Sequence, residues 1–269
     1  LILAVGAKTD IGMVRQKNED ALYVMESSSL LVVADGMGGH ASGEVASRIA
    51  IDIIKGYFDT RKTGKQLQIG PYRDEFSEAT NRLCSAICLA NQAVFEASRS
   101  NVQWHGMGTT IAAVLITGKR LSIAHIGDSR VYLIRSGNIE QLTDDHSIVS
   151  EQVKLNIFTR EQARDSEMKN LLTRALGVGE DVDVDLAELS LFDDDALVLC
   201  TDGLTNMVED NEILSTATAF KDPQEACETL VDMANKNGGK DNITVVIGKL
   251  AKKKKLIYFL SRLRKWFRR

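Results

Sequence analysis

Five times along this chain an acidic residue stands next to glycine or asparagine where an apolar run begins or ends: Glu19-Asp20 after Asn18, Asp35-Gly36, Gly127-Asp128, Asp202-Gly203 and Asp241-Asn242. Any one of these is ordinary turn chemistry, because Asp-Gly and Asp-Asn favour tight reversals. Five in one chain constrain the fold more strongly, since strand ends are rigid and would present carboxylates at defined positions. Carboxylates gathered without histidine or cysteine select hard ions, so Mg²⁺ or Mn²⁺ is expected rather than Zn²⁺. Two such ions a few ångströms apart would share a water, lower its pKa and aim it at phosphorus. The phosphate then needs a cation. Arg15, four residues before Glu19, has the planar fork that binds two phosphate oxygens, although taken alone it reads equally well as a surface residue.

The elements around these acids follow from hydrophobic period. Residues 30–34 (LLVVA) form an apolar run that reads as a buried strand stopping at Asp35-Gly36. Helical spacing then spans residues 41–58 and 73–98. Next come β-rich runs at 109–116, 121–126, 131–134 and 139–142, separated by glycine-containing turns, the signature of antiparallel hairpins. Residues 145–174 are polar with weak helical pattern. Residues 196–200 form another buried strand, followed by helices near 211–217 and 223–235 and a last strand at 243–247. Long helices alternating with hairpin clusters, without a regular strand–helix–strand repeat, predict an α+β fold with mostly antiparallel sheet.

Composition narrows the function. A chain of 269 residues, 44% hydrophobic and with two prolines, fits one domain over residues 1–250 and no internal linker. The net charge of −4 is unevenly placed, because residues 251–269 hold nine Lys or Arg and no acid, leaving −13 for residues 1–250. So acidic a body is poorly suited to nucleic acid, and no nucleic-acid partner is expected. Cys84, Cys88, Cys200 and Cys227 lie in apolar segments without metal-ligand spacing, which reads as reduced buried thiols and a cytoplasmic setting. No apolar run is long enough to span a bilayer.

Eight segments, in order, make the pattern specific: R-Q-K-N-E-D (15–20), V-V-A-D-G-M-G-G-H (32–40), G-M-G-T-T (106–110), G-D-S-R (127–130), L-T-D-D-H-S (142–147), L-T-R-A-L-G (172–177), C-T-D-G-L (200–204) and G-G-K-D-N-I-T (238–244). Over roughly residues 5–250 this series resembles the PPM (PP2C-like) family of metal-dependent protein serine/threonine phosphatases, and its D-G-M-G-G-H form is similar to bacterial members. The resemblance implies a four-layer α/β/β/α sandwich of two antiparallel sheets flanked by helices, with metals in a cleft at one end. It implies that Asp35 bridges two Mn²⁺ or Mg²⁺ ions, and that the Gly36 carbonyl and Glu19 help bind one of them. Asp202 and Asp241 would complete the other, with Asp20 acting from behind or through water. Asp128 resembles a position that binds a third, weaker ion together with Asp202, and Arg15 would hold the substrate phosphate. The implied reaction is hydrolysis of phosphoserine and phosphothreonine esters by a water bridging the two ions, opposing bacterial serine/threonine kinases.

Two features stand apart from that pattern. Eukaryotic members commonly carry histidine directly after the D-G pair, where this chain has Met37. His40 is then either the acid for the leaving alkoxide or a packing residue at the helix start. His125 and His146 read as structural, and His105 carries no role. Residues 147–170 correspond to the family's flap beside the active site. In the tail, Leu256, Phe259, Leu260, Leu263, Trp266 and Phe267 would form an apolar stripe opposite the Lys/Arg face of a helix. That stripe fits contact with a partner or with a membrane surface, which would put the protein peripherally at the inner face of the membrane. The competing class is a catalytically silent PP2C-like interaction module; a third reading keeps the hydrolysis but directs it to a small phosphate ester.

Overall fold

The computed structural model describes residues 2–27, 29–38, 42–59, 68–159, 162–163 and 166–251; His40 and residues 252–269, the expected acid and the expected basic helix, lie outside them. The chain runs β1 (Ile2–Asp10), β2 (Asp20–Met25), β3 (Leu30–Met37), α1 (Ser42–Asp59), α2 (Glu78–Ser100), a 3-10 turn (Val102–Trp104), β4 (Gly108–Thr109), β5 (Ile111–Thr117), β6 (Arg120–Ile126), β7 (Arg130–Arg135) and β8 (Asn138–Gln141). It continues through α3 (Ile148–Lys154), β9 (Asp185–Ser190), β10 (Ala196–Cys200), the one-turn α4 (Asp202–Thr205), α5 (Asp210–Ala219), α6 (Pro223–Lys236) and β11 (Ile243–Ala251).

Two antiparallel sheets carry the molecule. One has the order β1-β11-β10-β7-β8, and the other β2-β3-β5-β6-β9 with β4 paired to β3. Strand alternation explains how they stack. In β3, Leu30, Val32 and Ala34 pack with α1 and α2, while Leu31 and Val33 point into the layer between the sheets. In β10, Ala196, Val198 and Cys200 meet α5 and α6, and Leu197 and Leu199 face the same inter-sheet layer. Both strands are therefore buried on both faces, which is why their sequences are continuous apolar runs rather than alternating ones. Each fully buried Leu or Val in these layers contributes about 1.5–3 kcal/mol. The result is the expected four-layer α/β/β/α sandwich.

Several sequence expectations need correction. β3 does not stop at Asp35-Gly36 but continues to Met37, because β4 pairs Thr109 with Gly36 and Gly108 with Met37; Asp35 is thus held inside a strand. α2 starts at Glu78 rather than at 73, because Ser77 is its N-cap and accepts a bond from the Thr80 N–H. β1, β2 and β9 are absent from the sequence reading; all three are sheet edges. Their mixed, mostly half-buried residues give no clean apolar run. β11 extends through Ala251, one residue past the expected domain end.

Antiparallel pairing brings the start of β2, the end of β3, the start of β5 and the end of β6 to one end of the second sheet. The end of β10 and the start of β11 meet in the first. The acids of the five pairs sit at or beside five of these six positions, all but the start of β5.

Candidate metal centre

Asp20 and Asp35 stand directly opposite each other in the β2–β3 register. The Asp35 backbone is fixed from both sides: its N–H donates to Thr110 Oγ1 at 2.9 Å, and its carbonyl accepts from the Thr110 N–H at 2.8 Å and Thr109 Oγ1 at 2.9 Å. Thr110 Oγ1 also bonds Ser129 Oγ at 2.7 Å, tying in the turn that carries Asp128. Asp202 opens α4, and its Oδ2 accepts from Asn206 Nδ2 at 3.0 Å. A Cβ added to Gly203 would stand 1.9 Å from the Asn242 carbonyl, so only glycine lets the 202–203 segment lie against Asp241-Asn242.

Arg15 and Glu19 come from the loop between β1 and β2, and Asn242 shapes that loop. Its Oδ1 accepts from the Glu19 N–H at 2.7 Å, and its Nδ2 donates to the carbonyls of Ile11 and Lys17, each at 2.9 Å. The Glu19 carbonyl accepts from the Gly36 N–H and from Ser47 Oγ. A Cβ on Gly43 would fall 2.6 Å from Glu19 Oε2 and 2.7 Å from the Gly36 carbonyl oxygen, so α1 approaches both groups closely. Arg15 Nη2 donates to Asp241 Oδ2 at 2.7 Å. The guanidinium expected to hold phosphate thus lies within the acidic group, half-exposed at its rim.

Six carboxylates crowded at one end repel one another, with Arg15 and Arg130 only partly offsetting them. Burial, and then the charges of Asp20, Asp202, Asp128 and Asp241, push Asp35 well above the usual carboxylate range. Burial raises Asp20 to about 7, against the opposing bonds from Thr244 and Thr201, and raises Asp202 to about 6 with the Asp241 charge adding to it. Burial and Asp202 likewise push Asp128 well up, and burial raises Glu19.

The donor set fits hard divalent ions. Every side chain is an oxygen ligand, and Asp20 Oδ1 and Asp202 Oδ1 are buried with no hydrogen-bond partner. Asp20 itself is 8% exposed; its Oδ2 accepts from Thr201 Oγ1 at 2.9 Å and Thr244 Oγ1 at 2.6 Å. It therefore backs the site rather than rimming it. The sequence reading assigned no task to Asn242, Thr110, Thr201, Thr244 or Gly43. All but Gly43 lie inside quoted segments, so the signal was present although the partners were not.

Among the described residues, the group whose ligand atoms all lie within 4.8 Å of one another is not the acidic cluster but His125, His146 and Asp185. Three of its four ring nitrogens are already engaged. His125 Nε2 bonds the Asp144 carbonyl at 2.9 Å, His146 Nδ1 accepts from the Gly127 N–H at 3.1 Å, and His146 Nε2 bonds Asp185 Oδ2 at 3.1 Å. Arg174 Nη1 lies 2.6 Å from Asp185 Oδ1, so an arginine already supplies the cation. Burial lowers His125 to about 4 and lowers His146 as well, keeping both rings neutral.

Comparison with known proteins gives the family. The family model described as protein phosphatase 2C matches residues 14–244. The serine/threonine phosphatase stp of Listeria welshimeri is 36% identical over 243 residues, spanning 89% of this chain and 93% of that protein. The crystal structure of the Mycobacterium tuberculosis serine/threonine phosphatase PstP/Ppp superposes with a TM-score of 0.83 at 34% identity, covering 94% of this chain and 100% of the other. A structure of the catalytic domain of PstP in complex with 2 manganese ions superposes at 0.81 with 35% identity, covering 93% and 99%. This chain belongs to the protein phosphatase 2C family, bacterial type.

Proposed function

We propose that this protein hydrolyses phosphoserine and phosphothreonine esters in proteins, and that Asp35, Asp202, Asp241, Glu19 and the Gly36 carbonyl hold two Mn²⁺ or Mg²⁺ ions. The observation that carries the reading is the pair of buried, unpartnered oxygens, Asp20 Oδ1 and Asp202 Oδ1, inside a cluster of mutually repelling carboxylates. The manganese in the PstP catalytic domain supports it. When bound, such ions activate a water as nucleophile and screen the phosphoryl oxygens. The protein's own groups do the rest. Asp20 orients the centre from behind through its bonds to Thr201 and Thr244. Asp128, raised chiefly by burial and by Asp202, offers with Asp202 a place for a third, weaker ion. Arg15 trades its contact with Asp241 for the substrate phosphate, using the second edge of its fork.

Phosphate release from a phosphothreonine peptide tests this. Turnover should require added Mn²⁺, stop with EDTA, and be lost in Asp35→Asn and Asp202→Asn proteins that keep their fold; activity that survives chelation would overturn it. For the leaving alkoxide the proposal names His40 as acid. His40→Gln should then slow peptide esters, whose leaving group needs a proton, while sparing p-nitrophenyl phosphate, whose leaving group does not. Equal loss on both substrates would remove His40 from that role.

The finer setting is part of the same proposal. The substrates are phosphorylated proteins and the opposing partners serine/threonine kinases in the cytoplasm. Among the described residues no helix is long and apolar enough to cross a membrane. The alternation of aromatic and basic residues over 252–269 supports attachment to an anionic membrane surface. Cosedimentation with phosphatidylserine vesicles, lost on removal of residues 252–269 and in high salt, would support it, and salt-independent or absent binding would exclude it.

A further inference from the structure

His146 makes five polar contacts that join parts of the chain otherwise far apart in sequence. Its main-chain N–H donates to the Gly127 carbonyl at 2.8 Å, and its Nδ1 accepts from the Gly127 N–H at 3.1 Å, so both polar groups of one residue are held by one histidine. Its carbonyl accepts from the Thr173 N–H at 2.8 Å, and its Nε2 faces Asp185 Oδ2. Because Nδ1 accepts, Nε2 is the nitrogen left to carry the ring proton toward Asp185 Oδ2; Arg174 packs against the same edge, with Nη1 2.6 Å from Asp185 Oδ1 and Nη2 2.7 Å from Nε2. The ring is 3% exposed and lies against His125, centroids 4.4 Å apart and planes tilted by 39°.

Gly127 is the residue before Asp128. Its φ of +100° is open to glycine, and a Cβ there would stand 2.6 Å from a Thr110 methyl, the same threonine that fixes Asp35. The Gly127 peptide is therefore gripped between Thr110 and His146. On the other side, Ser147 bridges Leu172 and the Ile148 N–H donates to the Leu171 carbonyl, so His146 also stands where the segment carrying α3 leaves and rejoins the body.

We propose that His146 is a positioning residue: through the Gly127 peptide it sets the Asp128 carboxylate at the metal centre, in register with the root of residues 147–172. The proposal rests on reading Asp128 as a ligand, but the clamp itself is independent of that reading and can be tested without metal. An Asn side chain places its oxygen near Nδ1, whereas Gln reaches only the Nε2 position, so the two substitutions separate the Gly127 bond from the Asp185 bond.

The experiment compares wild type, His146→Asn and His146→Gln in two readouts: amide hydrogen exchange at Gly127 in metal-free protein, and calorimetric Mn²⁺ binding together with the Mn²⁺ dependence of turnover. His146→Gln should speed Gly127 exchange and weaken the loosest Mn²⁺ site by about tenfold or more, with KM for Mn²⁺ moving more than kcat, while His146→Asn stays near wild type in both. Equal behaviour of Asn and Gln, or fast Gly127 exchange with unchanged Mn²⁺ binding, would overturn the proposal. If either variant fails to fold, Asp185→Asn loosens the ring at Nε2, where Arg174 also packs, without a core change and should give the same two shifts in weaker form; no shift in either would equally overturn it. Wild-type protein that binds no Mn²⁺ would instead refute the metallophosphatase reading, with Gly127 exchange still reporting on the clamp.

Discussion

Arg15 sits between two tasks, since its Nη2 already contacts Asp241 while its side chain is half-exposed. A bidentate phosphate grip needs a planar fork, so Arg15→Ala should lower kcat/KM on a phosphopeptide by about 10²-fold, with Lys recovering only part of it. Steady-state kinetics of the three proteins checks this. The gathering of the acids and Arg15 was legible in the sequence because residue type, and the glycine or asparagine beside each acid, single them out. Asn242 was not, because its work consists of bonds to backbone groups of Ile11, Lys17 and Glu19 more than 200 positions away, and nothing in its neighbours announces them. Asn242→Ala leaves those three groups unpaired and should cost about 1–3 kcal/mol in urea unfolding, with a weaker grip on Mn²⁺ because Glu19 loses its anchor.

Strands and helices were legible to differing degrees for a physical reason. β3 and β10 are buried on both faces and announce themselves as apolar runs; β1, β2 and β9 are edges, each with one flank unpaired, and their sequences mix polar and apolar residues. The extension of β3 past Asp35 depends on β4, a two-residue partner from another part of the chain. No local pattern encodes such a pairing. The start of α2 does have a local cause: Ser77 caps it, and Glu188 on β9 accepts from the Ser77 N–H at 2.7 Å. Ser77→Ala should lower stability by about 1 kcal/mol while leaving kcat unchanged, since α2 packs on the outer face of the second sheet and contributes no group to the centre. Denaturant midpoints and turnover measured on the same preparation separate the two effects.

The whole molecule gathers its acids at one end of a sandwich, and this makes its stability depend on pH and metal together. Asp20 and Asp202 titrate near 7 and near 6 in the folded protein against 3.8 ordinarily, and Asp35 and Asp128 are shifted in the same direction. A raised carboxyl holds its proton more tightly when folded, so its contribution is complete below about pH 4 and is lost as pH rises through the folded value. Asp185 and Glu188 are lowered by their hydrogen-bond partners, and their contribution is already complete above about pH 5. His125 and His146, lowered by burial, act in the opposite direction over this range, but four raised carboxyls outweigh two histidines, so metal-free protein should melt at progressively lower temperature from pH 5 to 7. The stabilisation by Mn²⁺, which takes the place of those protons, should grow over the same range. Thermal scans with EDTA and with Mn²⁺ test both halves. The most direct measurement is a calorimetric Mn²⁺ titration of wild type, Asp35→Asn and His125→Gln at pH 7. Two tight equivalents in wild type and in His125→Gln, with none or one in Asp35→Asn, is the predicted result. Binding that survives Asp35→Asn and disappears with His125→Gln would contradict the account, by moving the metal to the histidine group.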